Sequence, residues 1–236
     1  MLESLRNKKI LVIVAHPDDE LLGIGGTLNR LKREINCKIK VVILGEGITS
    51  RASDRDVNMW KNELKKHKQN ILEAKSALGY DELGIYNLPD NRFDTVALLD
   101  IVKIIEKEKR EFKPEVIFTH HGGDLNIDHQ RTFEAVITAS RPLEHEKLKT
   151  IITFETPSGT EWTASSDPKR FTPNLFIEIK EEDLKAKINA MEAYEFEKRK
   201  YPHPRSPEAL MILAKQRGII IGKEYAEAFE IIRTIV

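Results

Sequence analysis

The chain has 236 residues, 38 Lys+Arg against 38 Asp+Glu, and one cysteine, Cys37. That length suits one large domain or two small ones at ~100–200 residues each, while zero formal charge removes the generic electrostatic case for nucleic acid. One cysteine forms neither an internal disulfide nor a thiolate cluster, the longest apolar run (Ile10 to Ala15) is far short of the ~20 residues of a membrane span, and MLESLRNKK lacks a signal-like apolar stretch, so a cytoplasmic protein without a membrane span is expected.

Ile10 to Ala15 is continuously apolar and rich in β-branched residues, the pattern of a strand buried on both sheet faces. Glu20 to Glu34 predicts a helix with glycines in its first half, and Lys38 to Gly45 a second strand. After a polar loop, Trp60, Leu64, His67, Ile71, Ala74 and Leu78 recur at alternating spacings of four and three, one helix face closed by Gly79. Ile85 to Leu88 predicts a short strand. Val96 to Phe112 predicts a helix whose apolar face is Leu98, Leu99, Val102 and Ile105, and Glu115 to Thr119 the next strand. The polar loop from His120 leads to a helix that Asp128 is suited to cap. Thr150 to Phe154 and Asn174 to Ile179 predict strands, Glu182 to Glu197 and Pro207 to Arg217 helices, and Tyr225 to Val236 a final strand.

Strands alternating with helices imply a three-layer α/β fold of the Rossmann-like kind, a mostly parallel sheet flanked by helices, with residues 1–236 as a single domain. Ligands of such sheets bind at the carboxyl ends of the strands, here the loops after Ala15, Leu44, Leu88 and Thr119.

Two of those loops carry chemistry. His16-Pro17-Asp18-Asp19-Glu20 places an imidazole and three carboxylates where a helix begins. Asp18 or Asp19 could simply cap that helix, but capping does not need His16. A His and an Asp on a Pro-stiffened turn make two-thirds of a catalytic zinc site. The loop His120 to His129 faces it, with His129 as a candidate third ligand and Asp128 able either to cap or to orient a histidine. Asp124-x-Asn126-x-Asp128 opens like a calcium loop, yet His129 stands at its glycine position and Ala135 at its twelfth, which excludes that reading. His67 reads as a packed histidine, and Gly23-Ile24-Gly25-Gly26 comes too late after its strand for a dinucleotide fingerprint.

AHPDDE at 15–20 together with DLNIDH at 124–129 resembles the PIG-L (LmbE-like) family of zinc-dependent N-deacetylases. The similarity runs from about residue 8 to 233 and takes in Arg51, Asp90, Pro204-Arg205-Ser206, Arg217-Gly218 and the tail from Tyr225 to Phe229. It implies hydrolysis of the N-acetyl group of an amino sugar, with His16, Asp19 and His129 on zinc and Asp18 as general base. Arg51 and Asp90 match positions that contact substrate in similar enzymes. Some members use a histidine where this chain has Asn126, which leaves that role unfilled or moved.

The chemistry is coherent on its own terms, since zinc addresses both a poor electrophile and a poor nucleophile. Asp18, next to the ligand Asp19 but free itself, can accept a proton from water and return it to the leaving amine. Asn126, His120 or His121 are candidates to steady the oxyanion, and Arg205 either meets substrate or belongs to a rigid turn. Trp162, in the loop from Glu155 to Thr172, offers a stacking face for a sugar. The expected partner is a small amino-sugar substrate, the expected cofactor Zn2+ or another divalent metal, and a homo-oligomer is compatible with the sequence. An amidase for larger acyl amides, or a catalytically silent metal- or sugar-binding protein, uses the same residues.

Overall fold

The structure is a computed structural model that describes residues 3–144 and 146–236. Its seven strands are β1 (Lys9–Val14), β2 (Lys38–Gly45), β3 (Glu82–Leu88), β4 (Val116–His120), β5 (Thr150–Phe154), β6 (Leu175–Ile179) and β7 (Tyr225–Thr234), in the order β3-β2-β1-β4-β5-β7-β6. β1 to β5 are mutually parallel, and β7 runs antiparallel to both β5 and β6. The α-helices among the described residues are α1 (Asp19–Arg30), α2 (Lys61–Leu78), α3 (Leu98–Phe112), α4 (Ile127–Ala139), α5 (Glu181–Ala193) and α6 (Pro207–Ile220). No helix among the described residues is long and apolar enough to cross a membrane.

The unbroken apolar run of β1 has a simple cause. Ile10, Val12 and Val14 join a core with Leu21, Ile24 and Leu28 of α1, Ile71 and Leu78 of α2, and Met191 of α5. The alternate residues Leu11, Ile13 and Ala15 join a second core with Ile101 and Ile105 of α3 and Ala135 and Val136 of α4. Both faces are therefore covered, and a period-two pattern has nothing to mark.

The glycines of α1 serve close packing. A Cβ on Gly23 would lie 2.1 Å from the Phe154 ring, and one on Gly26 would lie 2.7 Å from Ile179. Side chains from α5 and β7 also reach the backbone of α1. Lys187 Nζ donates to the Leu22 carbonyl, while the N–H groups of Gly26 and Thr27 donate to Glu227.

Several local expectations need correction. Leu99 faces solvent and Ile101 takes the core position, because α3 starts at Leu98 and its buried stripe runs Ile101, Val102, Ile105, Phe112. The cap of α4 is Asn126, whose Oδ1 accepts the Asp128 N–H at 2.8 Å, so the Asp128 carboxylate is free for other partners. α5 ends at Ala193, short of the predicted Glu197, and the chain turns at Tyr194.

Candidate active site

Four strand ends contribute to one cavity of about 170 Å³, lined by His16, Asp18, Asp19, Arg51, Asp90, Asn126, His129, Ser158, Glu197 and Arg205 among others. The segment after β1 supplies His16 to Asp18 and the first residue of α1, Asp19; that after β2 supplies Arg51, that after β3 Asp90, and that after β4 Asn126 and, from the first turn of α4, His129. This is the convergence expected at the carboxyl edge of a parallel sheet.

His16, Asp19 and His129 each present a donor atom within 4.8 Å of the others, and all three side chains are enclosed. His16 Nε2 is 2.8 Å from Asp128 Oδ2, which turns Nδ1 toward Asp19 Oδ2 at 3.4 Å. His129 Nδ1 lies 3.0 Å from Asp124 Oδ1, and its Nε2 lies 3.3 Å from the same Asp19 oxygen. Each imidazole thus has one nitrogen engaged by a carboxylate and the other aimed at a common point, the outer-shell arrangement of metal-bound histidines. Two imidazoles and one carboxylate, with room for further ligands, fit a catalytic divalent transition metal. Asp128 is itself held, because its Oδ1 accepts the Phe93 N–H at 2.8 Å. Asp90 Oδ1 lies 3.5 Å from His16 Nε2, so His16, Asp90 and Asp128 form a second acidic cluster on the far side of that ring.

His120 is stacked on His129 with ring centroids 3.9 Å apart and does not line the cavity. Its Nε2 accepts the Ala15 N–H at 2.9 Å, so the proton of the neutral ring sits on Nδ1, facing Thr156 Oγ1. Burial and the neighbouring His129 push its pKa down to about 4. For His129 burial acts the same way, but Asp19 and Asp124 outweigh it and raise the pKa to about 9. A cation and a proton therefore compete for His129.

The adjacent carboxylates diverge. Burial raises Asp18 well above the ordinary aspartate range; Arg205 opposes this, while Glu197, Asp19 and Glu20 add to it. Burial acts likewise on Asp19, but His129 and His120 hold it well below that range. Two neighbouring carboxylates held apart in this way mark a division of labour.

The Asp18 backbone is left-handed, with φ 96°. Ile48 (φ 58°), Asn91 (φ 52°) and Ser158 (φ 73°) share this trait and line the same cavity. For non-glycine residues that conformation costs about 1–3 kcal/mol each, and its concentration here is typical of a functional site.

Arg205 Nη1 bridges Asp18 Oδ2 (3.1 Å) and Glu197 Oε2 (2.8 Å), and its Nε donates to Ser158 Oγ at 2.9 Å. Arg51 Nη2 donates to Glu197 Oε1 at 2.5 Å. Asn126 lines the cavity, but its amide is committed, with Oδ1 capping α4 and Nδ2 donating to Asn91 Oδ1. His121 stands elsewhere. Its ring contacts the Lys169 carbonyl and Glu230, and it is not among the residues lining the cavity, which removes the basis for giving it a substrate contact. Trp162 is also outside the lining, edge-on to His203. His67 is buried against Tyr194 and Phe196, as a packed histidine.

Glu197, Ser158 and Asp124 were not distinguishable as site residues by sequence reasoning. Glu197 sits in the charge-rich stretch Glu195 to Lys200, where one more carboxylate reads as a solvated face. Asp124 had a signal, as the first residue of the DLNIDH segment that carries the family resemblance, but neither that segment nor the failed calcium-loop spacing gave it a role.

A buried two-His, one-carboxylate cluster that could hold a metal ion, with the Asp18 carboxylate beside it at the carboxyl edge of a parallel sheet, is the kind of arrangement hydrolytic sites use. The family model PIG-L, GlcNAc-PI de-N-acetylase, matches residues 11–140, more than half of the chain, and the chain belongs to that family, a deacetylase family. The chain is 28% identical over 190 residues to the probable N-acetyl-alpha-D-glucosaminyl L-malate deacetylase 2 of Bacillus subtilis, covering 78% of this chain and 81% of that protein. Among solved structures, the N,N'-diacetylchitobiose deacetylase of Pyrococcus horikoshii superposes with a TM-score of 0.72 at 20% identity, covering 96% of this chain and 84% of that one. The 4-carboxy-2-hydroxymuconate hydratase GalB of Pseudomonas putida superposes with 0.73 at 21% identity, covering 97% and 98%. One fold thus serves more than one chemistry, and the family match over the chain carries the deacetylase assignment.

Proposed function

We propose that this protein is a zinc-dependent hydrolase that removes the N-acetyl group from an N-acetylated amino sugar or its conjugate, of the N-acetylglucosamine kind. The observation that carries this reading is the juxtaposition of His16, Asp19 and His129 with the Asp18 carboxylate, which is outside that donor set and is held by Arg205, on the same cavity wall. The donor set suits zinc, and because affinities for such N/O sites follow a general order, another divalent transition metal can substitute. When bound there, the ion supplies Lewis acidity toward the acetyl carbonyl and toward water.

The remaining work falls to side chains. Asp18 takes the proton of the attacking water and, once protonated, returns it to the departing amine. Arg205 holds the Asp18 carboxylate in place. Asp128 keeps His16 in a single tautomer and orientation. Arg51 and Asp90 line the cavity as polar contacts for sugar hydroxyls. The similarity to the probable N-acetyl-alpha-D-glucosaminyl L-malate deacetylase 2 of Bacillus subtilis supports that substrate class.

The test is metal analysis followed by acetate release over a panel of N-acetyl sugars and their conjugates. Zinc-replete protein is expected to release acetate from at least one member, and Asp18→Asn to keep its metal while losing about 10²–10⁴ in rate, the usual worth of general acid–base catalysis. Absence of acetate release across the panel, or a fully active Asp18→Asn enzyme, would overturn the reading.

A further inference from the structure

Asp18 occupies the N-cap position of α1 without making a side-chain cap, in a left-handed conformation that an aspartate adopts at a cost. Something must hold it there. Its N–H donates to Glu20 Oε2 at 3.1 Å, a carboxylate reaching back from two residues into the helix. The other oxygen, Glu20 Oε1, accepts the Tyr194 hydroxyl at 2.7 Å. Asp18, Glu20 and Tyr194 are all buried, so no solvent competes for these bonds. Three residues further along, Glu197 anchors the Arg205 guanidinium that grips the Asp18 carboxylate. The turn after α5 therefore reaches Asp18 twice, through its main chain by way of Tyr194 and Glu20, and through its side chain by way of Glu197 and Arg205.

We propose that Glu20 and Tyr194 are positioning residues that lock the left-handed main chain of Asp18 and so aim its carboxylate at the reacting centre. The proposal rests on the reading of Asp18 as general base. It assigns no chemical step to either residue, since neither lines the cavity. Released from Glu20, Asp18 relaxes toward right-handed backbone, and its carboxylate swings away from its place in the cavity it lines with Asp19 and His129. Misplacement of about 1 Å in a catalytic group costs up to about 10²-fold in rate.

The variants separate positioning from bulk stability. Tyr194→Phe keeps the ring packed on His67 and deletes only the hydroxyl. Glu20→Gln can still accept the Asp18 N–H through its carbonyl and donate its amide to the Tyr194 oxygen, whereas Glu20→Ala can do neither. Tyr194→Phe and Glu20→Ala are expected to lower kcat about tenfold or more, with KM and bound metal unchanged, and Glu20→Gln to retain most of the wild-type kcat. Independently of activity, the Asp18 amide in Tyr194→Phe should exchange its hydrogen faster than in wild type, with no change in the sheet amides. Unchanged exchange at Asp18 in Tyr194→Phe, or Glu20→Gln as impaired as Glu20→Ala, overturns the proposal. If wild-type protein releases no acetate, the proposed function fails, and the exchange measurement still decides whether Tyr194 and Glu20 hold the loop.

Discussion

His16 and Asp128, 112 positions apart in the chain, meet at 2.8 Å between Nε2 and Oδ2, and the second Asp128 oxygen is occupied by the Phe93 N–H. The carboxylate thereby fixes which nitrogen of His16 carries the proton and leaves the other to face Asp19. Asp128→Ala is expected to fold but to bind metal about 10–100-fold more weakly, the usual effect of losing an outer-shell partner. Competition against a chelator of known affinity measures this, and unchanged affinity would show that His16 is oriented by other contacts.

Gly23 faces two opposing effects. In a helix, alanine is favoured over glycine by about 1 kcal/mol. At this position, however, the added Cβ would sit 2.1 Å from Phe154, whose ring is buried against the sheet core, and overpacking costs about 1–3 kcal/mol. Packing wins, so Gly23→Ala should be destabilising in urea unfolding, and Phe154→Leu in the same chain should recover part of the loss.

Lys187 is buried and donates to Glu227 Oε1 at 2.6 Å and to the Leu22 carbonyl at 2.9 Å. Replacing it by methionine strands the Glu227 carboxylate, and breaking a buried pair from one side costs about 3–5 kcal/mol. Lys187→Met combined with Glu227→Gln is expected to be more stable than Lys187→Met alone, since the amide carries no charge to desolvate. Equal stability of the two would show that Gly26 and Thr27 alone compensate Glu227.

His121 Nδ1 lies 3.0 Å from Glu230 Oε2 and ties the loop after β4 to β7. Burial lowers the His121 pKa, but Glu230 and the Lys169 carbonyl outweigh it and raise it above the usual histidine value. Burial acts upward on Glu230, and His121 with the Thr172 N–H brings it below the usual glutamate value. The histidine contribution is complete below its unfolded pKa and is lost as pH rises through the raised one. The glutamate contribution is complete above its unfolded pKa and is lost as pH falls through the lowered one. Stability from this pair is therefore greatest between the ordinary glutamate and histidine pKa values, and His121→Gln should flatten the pH dependence of unfolding on both sides. A pH profile unaltered by His121→Gln would contradict it.

The Cys37 thiol is buried, and burial pushes its pKa up to about 11. Its thiolate is scarce at neutral pH. Native protein is expected to resist alkylation and to react with one equivalent of thiol reagent only after denaturation. Rapid modification of the native form would show that the segment whose Leu5 carbonyl accepts the Cys37 thiol at 3.1 Å opens.

Much of the architecture was legible in the residues because its signals are local. The apolar runs of β1, β2 and β4, the glycine that closes α2 and the loop AHPDDE after β1 each depend on neighbours within a few positions. Boundaries that depend on distant partners were not legible. Leu99 and Ile101 are equally apolar, and only which side of α3 packs against the rest of the protein exposes one and buries the other. Asn126 and Asp128 are equally good caps, and Asp128 is spared that role because His16 and the Phe93 N–H claim its oxygens.

By itself, the sequence determined the alternating α/β order, the neutral charge, the absence of any thiolate cluster and the presence of histidines and aspartates on two strand-end loops. Tertiary structure alone decided which of those groups converge. His16, Asp19 and His129 come together, while His121 is drawn off to Glu230. Arg205 arrives at Asp18 from a turn 187 positions away, backed by Glu197, and Tyr194 reaches it through Glu20 from the end of α5. Side-chain type and spacing report what a residue can do, but its partners depend on how the helices lie across the sheet, a relation no short window of sequence contains.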